Sequence, residues 1–176
     1  MIPAGLLLLV GPPAAGKSTF ASELVRLGRI DAAGVVSCDA IRVAMAGGAV
    51  RVSDDPAIFA EMDRRVGARL AAGLPVIVDA TNVTVAGRAR MLAHARTHRR
   101  PSTALRFPVD EGVLLARNAA RTGHRLVPPG DVVSYAALFH SGASRPQLTA
   151  EGLDQIHDVP ADAGPAAAAH RFTIAT

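Results

Sequence analysis

An apolar run that leads straight into a glycine-bounded turn is the feature that most constrains how this chain folds. Residues 6–10 read L-L-L-L-V, which is typical of a strand buried on both faces of a parallel sheet. Residues 11–18 then read G-P-P-A-A-G-K-S, which matches the phosphate-binding pattern G-x-x-x-x-G-K-S of the P-loop. Residues 18–25 predict a helix. Such a strand, turn and helix favour a bound anion, because backbone N–H groups and the helix dipole both attract negative charge.

The P-loop also predicts which residues hold a nucleotide. Lys17 is the only lysine in a chain with 19 lysines and arginines, and a guanidinium fork does not replace a compact ammonium on a flexible stem. We expect Lys17 to reach the β- and γ-phosphates of a nucleoside triphosphate, and the Ser18 hydroxyl to hold Mg²⁺. The predicted nucleotide-binding residues of this segment are Gly11, Ala14, Ala15, Gly16, Lys17, Ser18 and Thr19.

Composition limits the class of protein further. A length of 176 residues suits one compact domain, and the single cysteine excludes a disulfide framework and a thiolate metal cluster. No apolar run approaches the ~18 residues of a membrane span, and the N-terminus does not read as a signal peptide. We therefore expect a cytoplasmic enzyme with no membrane partner. The net charge of +4 favours a polyanionic partner, although a biased genome explains the arginine excess equally well.

Apolar runs recur along the chain, with helical stretches between them. Further strands are predicted at residues 34–38, 74–78, 102–109 and 155–159, with an edge strand at 171–174. A further helix is predicted from residue 54 to Gly73, with one apolar stripe made of Ile58, Phe59, Met62, Val66 and Leu70. Others are predicted at 84–97, at 110–122 and, as a short helix, from Asp131. Residues 160–169 read as a flexible connector. This alternation predicts an α/β fold with a parallel sheet covered by helices on both faces, and ligands at the carboxyl ends of its strands.

Two side chains after the second predicted strand suggest the acceptor side of a phosphoryl-transfer site. Asp39 and Arg42 are three residues apart and so share one face of a helix. Beside a P-loop, such an aspartate accepts the proton of an attacking hydroxyl, and the arginine braces the acceptor or the reacting phosphate. The alternative is that Asp39 only caps a helix and Arg42 is a solvated charge. The neighbouring P-loop favours the catalytic interpretation.

The end of the third predicted strand carries Asp79, Thr81 and Asn82. A carboxylate at this place in a P-loop fold commonly acts in the outer shell of the metal, so Asp79 or Asp39 is expected to contact Mg²⁺ through water. Thr81 and Asn82 offer a hydroxyl and an amide to an acceptor. A polar turn that caps the helix from Thr84 explains the same residues equally well.

Arg117, Arg121 and Arg125 are spaced by four residues and predict a lid at about residues 117–135. Arg117 and Arg121 share a helix face, whereas Arg125 follows Gly123 in a stretch rich in proline and glycine. A flap of this composition would close over ATP and neutralise charge on the γ-phosphate. Arg117 and Arg121 therefore join the predicted nucleotide-binding residues. A solvated basic helix face is the alternative, and it applies most strongly to Arg117.

Taken in their order and spacing, these motifs resemble the polynucleotide 5′-kinases. The resemblance is nearest to the kinase domain of bacterial polynucleotide kinase-phosphatases used in RNA repair, and it covers about residues 2–160. The segments that carry it are residues 11–18, 37–42, 78–82 and 117–128. It implies one P-loop kinase domain over residues 1–176, with an adenylate-kinase-like fold and an arginine-bearing lid. It also implies transfer of the γ-phosphate of ATP, or another nucleoside triphosphate, to a 5′-hydroxyl end of RNA or DNA.

The same resemblance assigns roles to single residues. It implies that Asp39 is the general base and that Arg42 contacts the acceptor-side phosphate. Lys17 and Ser18 would hold phosphates and Mg²⁺, and Arg121 and Arg125 would be the lid arginines, either of which could contact the γ-phosphate. Other RNA-repair enzymes would be the expected partners.

Two further functions remain compatible with the sequence. A small-molecule kinase would use the same scaffold to phosphorylate a sugar, antibiotic or nucleoside hydroxyl. A nucleotide-binding switch would bind the nucleotide with little phosphotransfer, but it has no need of an acceptor-side base such as Asp39. A polynucleotide requires an open basic channel that leads to Asp39, whereas a small acceptor requires a closed pocket.

Overall fold

Five parallel strands form one sheet in the computed structural model, which describes residues 1–46, 55–162 and 164–175. The strands are β1 (Leu6–Val10), β2 (Val35–Ser37), β3 (Val76–Asp79), β4 (Ser102–Arg106) and β5 (Gln155–Asp158). Their order across the sheet is β2-β3-β1-β4-β5, which places β1 at the centre with every side chain buried. The parallel α/β fold predicted from the sequence is confirmed.

Eight α-helices surround this sheet within the described ranges. They are α1 (Lys17–Arg26), α2 (Cys38–Ala46), α3 (Asp55–Ala71), α4 (Val85–Thr97), α5 (Glu111–Ala119), α6 (Pro129–Gly142), α7 (Arg145–Ala150) and α8 (Pro165–Ala169). Leu6, Leu8 and Val10 face one core with α2, α3 and α4, while Leu7 and Leu9 face a second core with α1, α5 and α8. None of the helices in the described part of the chain is long and apolar enough to cross a bilayer.

Helix α8 corrects the prediction of a flexible connector at residues 160–169. Pro165 opens this helix, and Ala168 and Ala169 are buried in the core that also contains α1. Alanine favours helix more than any other residue, and proline is well tolerated in the first turn. The predicted edge strand at residues 171–174 is also wrong, because only a single bridge pairs Ile174 with Ile2.

Helix α3 forms where it was predicted, although Asp54 lies outside the described residues. Ile58, Met62, Val66 and Leu70 are buried as the apolar stripe requires. Phe59, which the same stripe predicted as core, is 41% exposed. One residue advances the helix by about 100°, so the neighbour of a buried residue turns towards the edge of the stripe.

The boundaries of other elements shift modestly from the predictions. Strand β4 ends at Arg106 rather than at residue 109, and α5 ends at Ala119 rather than at residue 122. Helix α6 begins two residues before Asp131 and runs for 14 residues, with proline in its first turn. Thr84 caps α4, and its hydroxyl oxygen accepts a hydrogen bond from the Gly87 N–H.

A buried ion pair joins the helices on one side of the sheet. The fully buried Arg88 donates from Nε to Glu151 Oε2 at 2.7 Å and from Nη2 to Oε1 at 2.6 Å. The same guanidinium donates to the carbonyl oxygens of Asn82 at 2.9 Å and Gly142 at 2.6 Å. The pair therefore ties α4 to the end of α6, to α7 and to the turn that follows β3.

Removal of one partner should be costly, because it leaves the other charge buried and unpaired. We expect Arg88→Leu to lower the free energy of unfolding by about 3–5 kcal/mol in urea denaturation. The double variant Arg88→Leu/Glu151→Leu should recover part of that loss. Arg64→Leu, which removes an exposed partner of Glu61, serves as the control and should change little. Equal stability of Arg88→Leu and the wild type would show that the pair does not hold these helices.

Candidate active site

The P-loop crosses the carboxyl edge of the sheet between β1 and α1. Gly16 has a φ of 99° and Ala14 a φ of 63°, so both lie in the left-handed region. Gly16 adopts this conformation without strain, and it is the residue from which α1 starts. The N–H groups in the first turn of α1 have no partner within the helix, which leaves them available to a phosphate.

Lys17 lies buried inside this loop. Its Nζ donates to the carbonyl oxygens of Gly11 at 2.8 Å and Pro12 at 2.6 Å. Burial lowers the pKa of the Lys17 ammonium from 10.5 to about 8; the charges of Asp79 and Asp39 oppose this shift, and that of Arg121 adds to it. A bound phosphate would supply the missing negative charge beside this ammonium.

Asp79 ends β3 next to the P-loop, and its carboxyl is largely buried. Burial raises the pKa of Asp79, while a hydrogen bond from the Ser18 hydroxyl, the charge of Lys17 and a hydrogen bond from Ser37 act against the rise. The pairing of a hydroxyl with a carboxylate fits Mg²⁺, which prefers oxygen ligands and usually keeps several waters. Ser18 would hold the ion directly, with Asp79 acting through water. The described residues form no cluster of three or more His, Cys, Asp or Glu that could hold a metal ion by themselves. A Mg²⁺ ion here would therefore take its remaining ligands from substrate phosphates and water.

Asp39 and Arg42, which the sequence predicts as the acceptor-side pair, lie on α2. Arg42 Nη1 donates to Asp39 Oδ1 at 2.8 Å, which confirms that the two residues share a helix face. The Asp39 side chain is 80% exposed, whereas that of Arg42 is 25% exposed. The carboxylate is therefore held in place by a partner while its surface stays open to solvent.

Arg121 and Arg125 approach the site from the segment between α5 and α6. Arg121 Nη1 donates to the carbonyl oxygen of Arg125 at 3.3 Å. Burial lowers the pKa of the Arg121 guanidinium, the charge of Arg125 adds to that effect, and the charge of Asp39 opposes it. Two cations held this close favour a polyanionic ligand between them and the P-loop.

All these groups surround one cleft of about 1140 Å³. The predicted site residues on its wall are Ala14, Gly16, Lys17, Ser18, Thr19, Asp39, Arg42, Asp79, Thr81, Arg121 and Arg125. The chain thus brings the P-loop, the predicted acceptor-side pair and two of the three predicted lid arginines to one edge of the sheet.

Four predicted site residues lie off the wall of this cleft. Gly11 is needed for packing, because an added Cβ would come within 3.0 Å of the Phe107 Cβ. Ala15 and Arg117 border a separate cavity of about 10 Å³, so the structure does not bring Arg117 together with Arg121. Asn82 is the fourth.

The acceptor role predicted for Asn82 does not match its position. The side chain is buried, its φ is 48°, and Nδ2 donates to the carbonyl oxygens of Leu9 at 2.9 Å and Val78 at 3.2 Å. Its carboxamide therefore joins the ends of β1 and β3, which carry the P-loop and Asp79.

Asn118 is a supporting residue that the sequence did not single out. Its buried carboxamide donates to the Val127 carbonyl at 2.7 Å and accepts from the Val127 N–H at 3.1 Å. These two hydrogen bonds attach the segment that carries Arg121 and Arg125 to α5. The sequence did offer one signal for this role, because Asn118 is a polar residue on the buried face of α5, four residues after Leu114.

A P-loop after the central strand of a 2-3-1-4-5 parallel sheet, facing a carboxylate and two arginines across a cleft, defines a kinase-like phosphotransferase scaffold. The chain belongs to the AAA domain family (AAA_33), whose family model matches residues 6–136. Among curated protein sequences, no significant match is found.

Solved structures share this scaffold. A gluconokinase from Sinorhizobium meliloti 1021 aligns with a TM-score of 0.60 and 18% identity, over 97% of this chain and 94% of that chain. Chaetomium thermophilum Kti12, in complex with ADP-AlF3, aligns with a TM-score of 0.65 and 18% identity, over 94% of each chain. A chain of the Pnkp1/Rnl/Hen1 RNA repair complex aligns with a TM-score of 0.61 and 23% identity, over 80% of this chain but 45% of that chain. At these identities the likeness shows the fold alone.

The buried Lys17 predicts a specific pH dependence. Because its pKa is lower in the folded protein than in the unfolded chain, the burial penalty is fully present below about pH 8 and is relieved as the pH rises towards 10.5. Without nucleotide, the free energy of unfolding should therefore gain about 3 kcal/mol across that range relative to Lys17→Met. Urea denaturation of both proteins at several pH values checks this. A constant difference between them would contradict the prediction.

The two hydrogen bonds between Asn118 and Val127 predict that replacing Asn118 lowers the protection of nearby amides from hydrogen exchange. Asn118→Ala removes two hydrogen bonds of about 1 kcal/mol each, so amides of residues 119–127 should exchange with deuterium roughly 10- to 30-fold faster. Ser134→Ala, which removes an exposed bond to Gly130 on α6, is the control and should leave that segment unchanged. Unchanged exchange in Asn118→Ala would show that another contact holds the segment.

Proposed function

We propose that this protein is a kinase that transfers the γ-phosphate of ATP, with Mg²⁺, to the 5′-hydroxyl end of RNA or DNA. One observation carries the proposal. The exposed carboxylate of Asp39, held by Arg42 at 2.8 Å, lies on the wall of the same cleft as the P-loop lysine. A phosphate donor site and a candidate base thus face one space.

The reaction follows from the groups around that space. Lys17 and the N-terminus of α1 hold the β- and γ-phosphates, and Arg121 and Arg125 neutralise charge that develops on the transferred phosphoryl group. Asp39 accepts the proton of the attacking hydroxyl. A bond forms between the hydroxyl oxygen and the γ-phosphorus, while the bond from that phosphorus to the β–γ bridging oxygen breaks and ADP leaves. Bound Mg²⁺ would neutralise charge on the phosphates.

The alternative role of Asp39, as a helix cap, is taken by its neighbour. Ser37 Oγ accepts a hydrogen bond from the Ala40 N–H at 3.4 Å, three residues on, as an N-cap does. The Asp39 carboxylate accepts a hydrogen bond from Arg42 Nη1 on the same helix face at 2.8 Å. A capping serine leaves the aspartate to act on the acceptor.

Several features favour the end of a polynucleotide as acceptor. Asp39 is open to solvent, so a chain end can reach it without being enclosed. Arg42 supplies a cation for the first phosphate of the acceptor's backbone. The resemblance to polynucleotide 5′-kinases points the same way, and it extends the proposal to a cytoplasmic protein that works beside other RNA-repair enzymes.

A small-molecule kinase is the second candidate. The gluconokinase shares the fold over almost all of both chains, which supports a small-molecule acceptor as the second candidate. A small hydroxyl compound would use the same base and the same phosphate site. The two candidates differ only in what occupies the acceptor side.

A labelling assay tests both candidates. The protein, γ-labelled ATP and Mg²⁺ are incubated with 5′-hydroxyl RNA, 5′-hydroxyl DNA, a nucleoside or gluconate, each in a separate reaction. We expect label on the oligonucleotides. Asp39→Asn should bind ATP nearly as the wild type does and lose about 10²- to 10⁴-fold in kcat, because it removes the general base.

Asp110→Asn provides the matched control, because Asp110 is an exposed aspartate away from the cleft. It should retain wild-type activity. Full activity of Asp39→Asn would show that the assigned base is wrong. Label on the nucleoside or gluconate, with none on the oligonucleotides, would establish the second candidate instead.

A further inference from the structure

Phe59 is the one phenylalanine of the five in the chain that is exposed. Phe20 packs edge-to-face on Phe107 and on Phe172, each at 5.4 Å between ring centroids, and Phe139 is buried. Phe59 instead exposes 41% of its surface on α3. Burial in the hydrophobic core therefore does not account for an aromatic ring at this position.

The exposed ring lies on the acceptor side of the cleft. Phe59 lines the cleft together with Asp39, Arg42 and Val43 of α2, the helix against which α3 packs. We call these four residues the acceptor wall. A large apolar side chain on a functional cleft is more informative than one scattered on the surface, because it offers a contact to the ligand.

Arg90 of α4 braces the ring of Phe59. Its guanidinium carbon lies 4.6 Å from the ring centroid, Nη2 donates to the Phe59 carbonyl at 2.8 Å, and Nε donates to Asp63 at 2.9 Å. Arg90 itself is not on the wall of the cleft. A cation fixed on the ring from outside the cleft holds the ring in place and leaves its cleft side for another partner.

We propose that Phe59 stacks against the base of the acceptor's 5′-terminal nucleotide, an inference that rests on the proposed function. Every base has a flat π-face, so an aromatic platform accepts all four bases without reading the sequence. Asp39, on the same acceptor wall, would then receive the hydroxyl of the same nucleotide, and Arg42 its phosphate. Stacking on Phe59 fixes where that hydroxyl lies, which makes Phe59 a binding residue for nucleic-acid acceptors.

The test combines variants of Phe59 with two acceptors. One oligonucleotide carries an ordinary 5′-terminal nucleotide, and the other is identical except that its 5′-terminal nucleotide is abasic; both have a 5′-hydroxyl. Phe59→Ala should raise the KM for the ordinary acceptor roughly 5- to 100-fold and leave the KM for the abasic acceptor nearly unchanged. Phe59→Trp should preserve the preference for a base, and Phe59→Leu should lose it despite its apolar side chain.

Leu138→Ala is the matched control, because Leu138 is 42% exposed on a helix and lies off the cleft. It should change neither KM, and the KM for ATP should stay constant in all variants. An equal rise for both acceptors, or no rise for either, would overturn the role of Phe59 while wild-type labelling still supports the kinase. If the wild type labels no oligonucleotide, the proposed function fails and the stacking role fails with it.

Discussion

The site depends on a lysine ammonium that the fold buries without a full complement of negative charge. Lys17 contacts two backbone carbonyls, and burial lowers its pKa although Asp79 and Asp39 lie near enough to oppose the shift. Desolvation of a cation is unfavourable unless a ligand compensates for it. The left-handed turn at Gly16, the start of α1 and the position of Asp79 all serve to hold this charge where a phosphate completes it.

Strand order explains why the remaining groups gather at the same place. With β1 in the centre, β3 brings Asp79 alongside the P-loop, and β2, one strand further out, leads into the helix that carries Asp39. The carboxamide of Asn82 links the ends of β1 and β3, and the buried Arg88 holds the carbonyl of that asparagine. The relative positions of the P-loop and Asp39 are therefore set by regular secondary structure, which favours a reproducible geometry of the site.

Much of this arrangement follows from local sequence, and the rest depends on contacts between distant residues. The strands, the P-loop and the Asp39–Arg42 pair could be predicted because each is set by periodicity or by a spacing of a few residues. Periodicity did not show that Phe59 lies at the border of its stripe, nor that the alanine-rich stretch at α8 has a partner in α1. The positions of Asn82 and Arg117 depend on the packing of other elements, which short motifs do not encode.

The contact between α8 and the P-loop couples the two ends of the chain. A Cβ on Gly16 would come within 2.7 Å of the Pro165 ring, so this helix rests directly against the turn that cradles the phosphate. None of the residues of α8 lines the cleft, and its buried alanines pack against α1. A larger side chain at the start of α8 would therefore displace the left-handed turn at Gly16, because the ring atoms of Pro165 leave no free space beside that glycine.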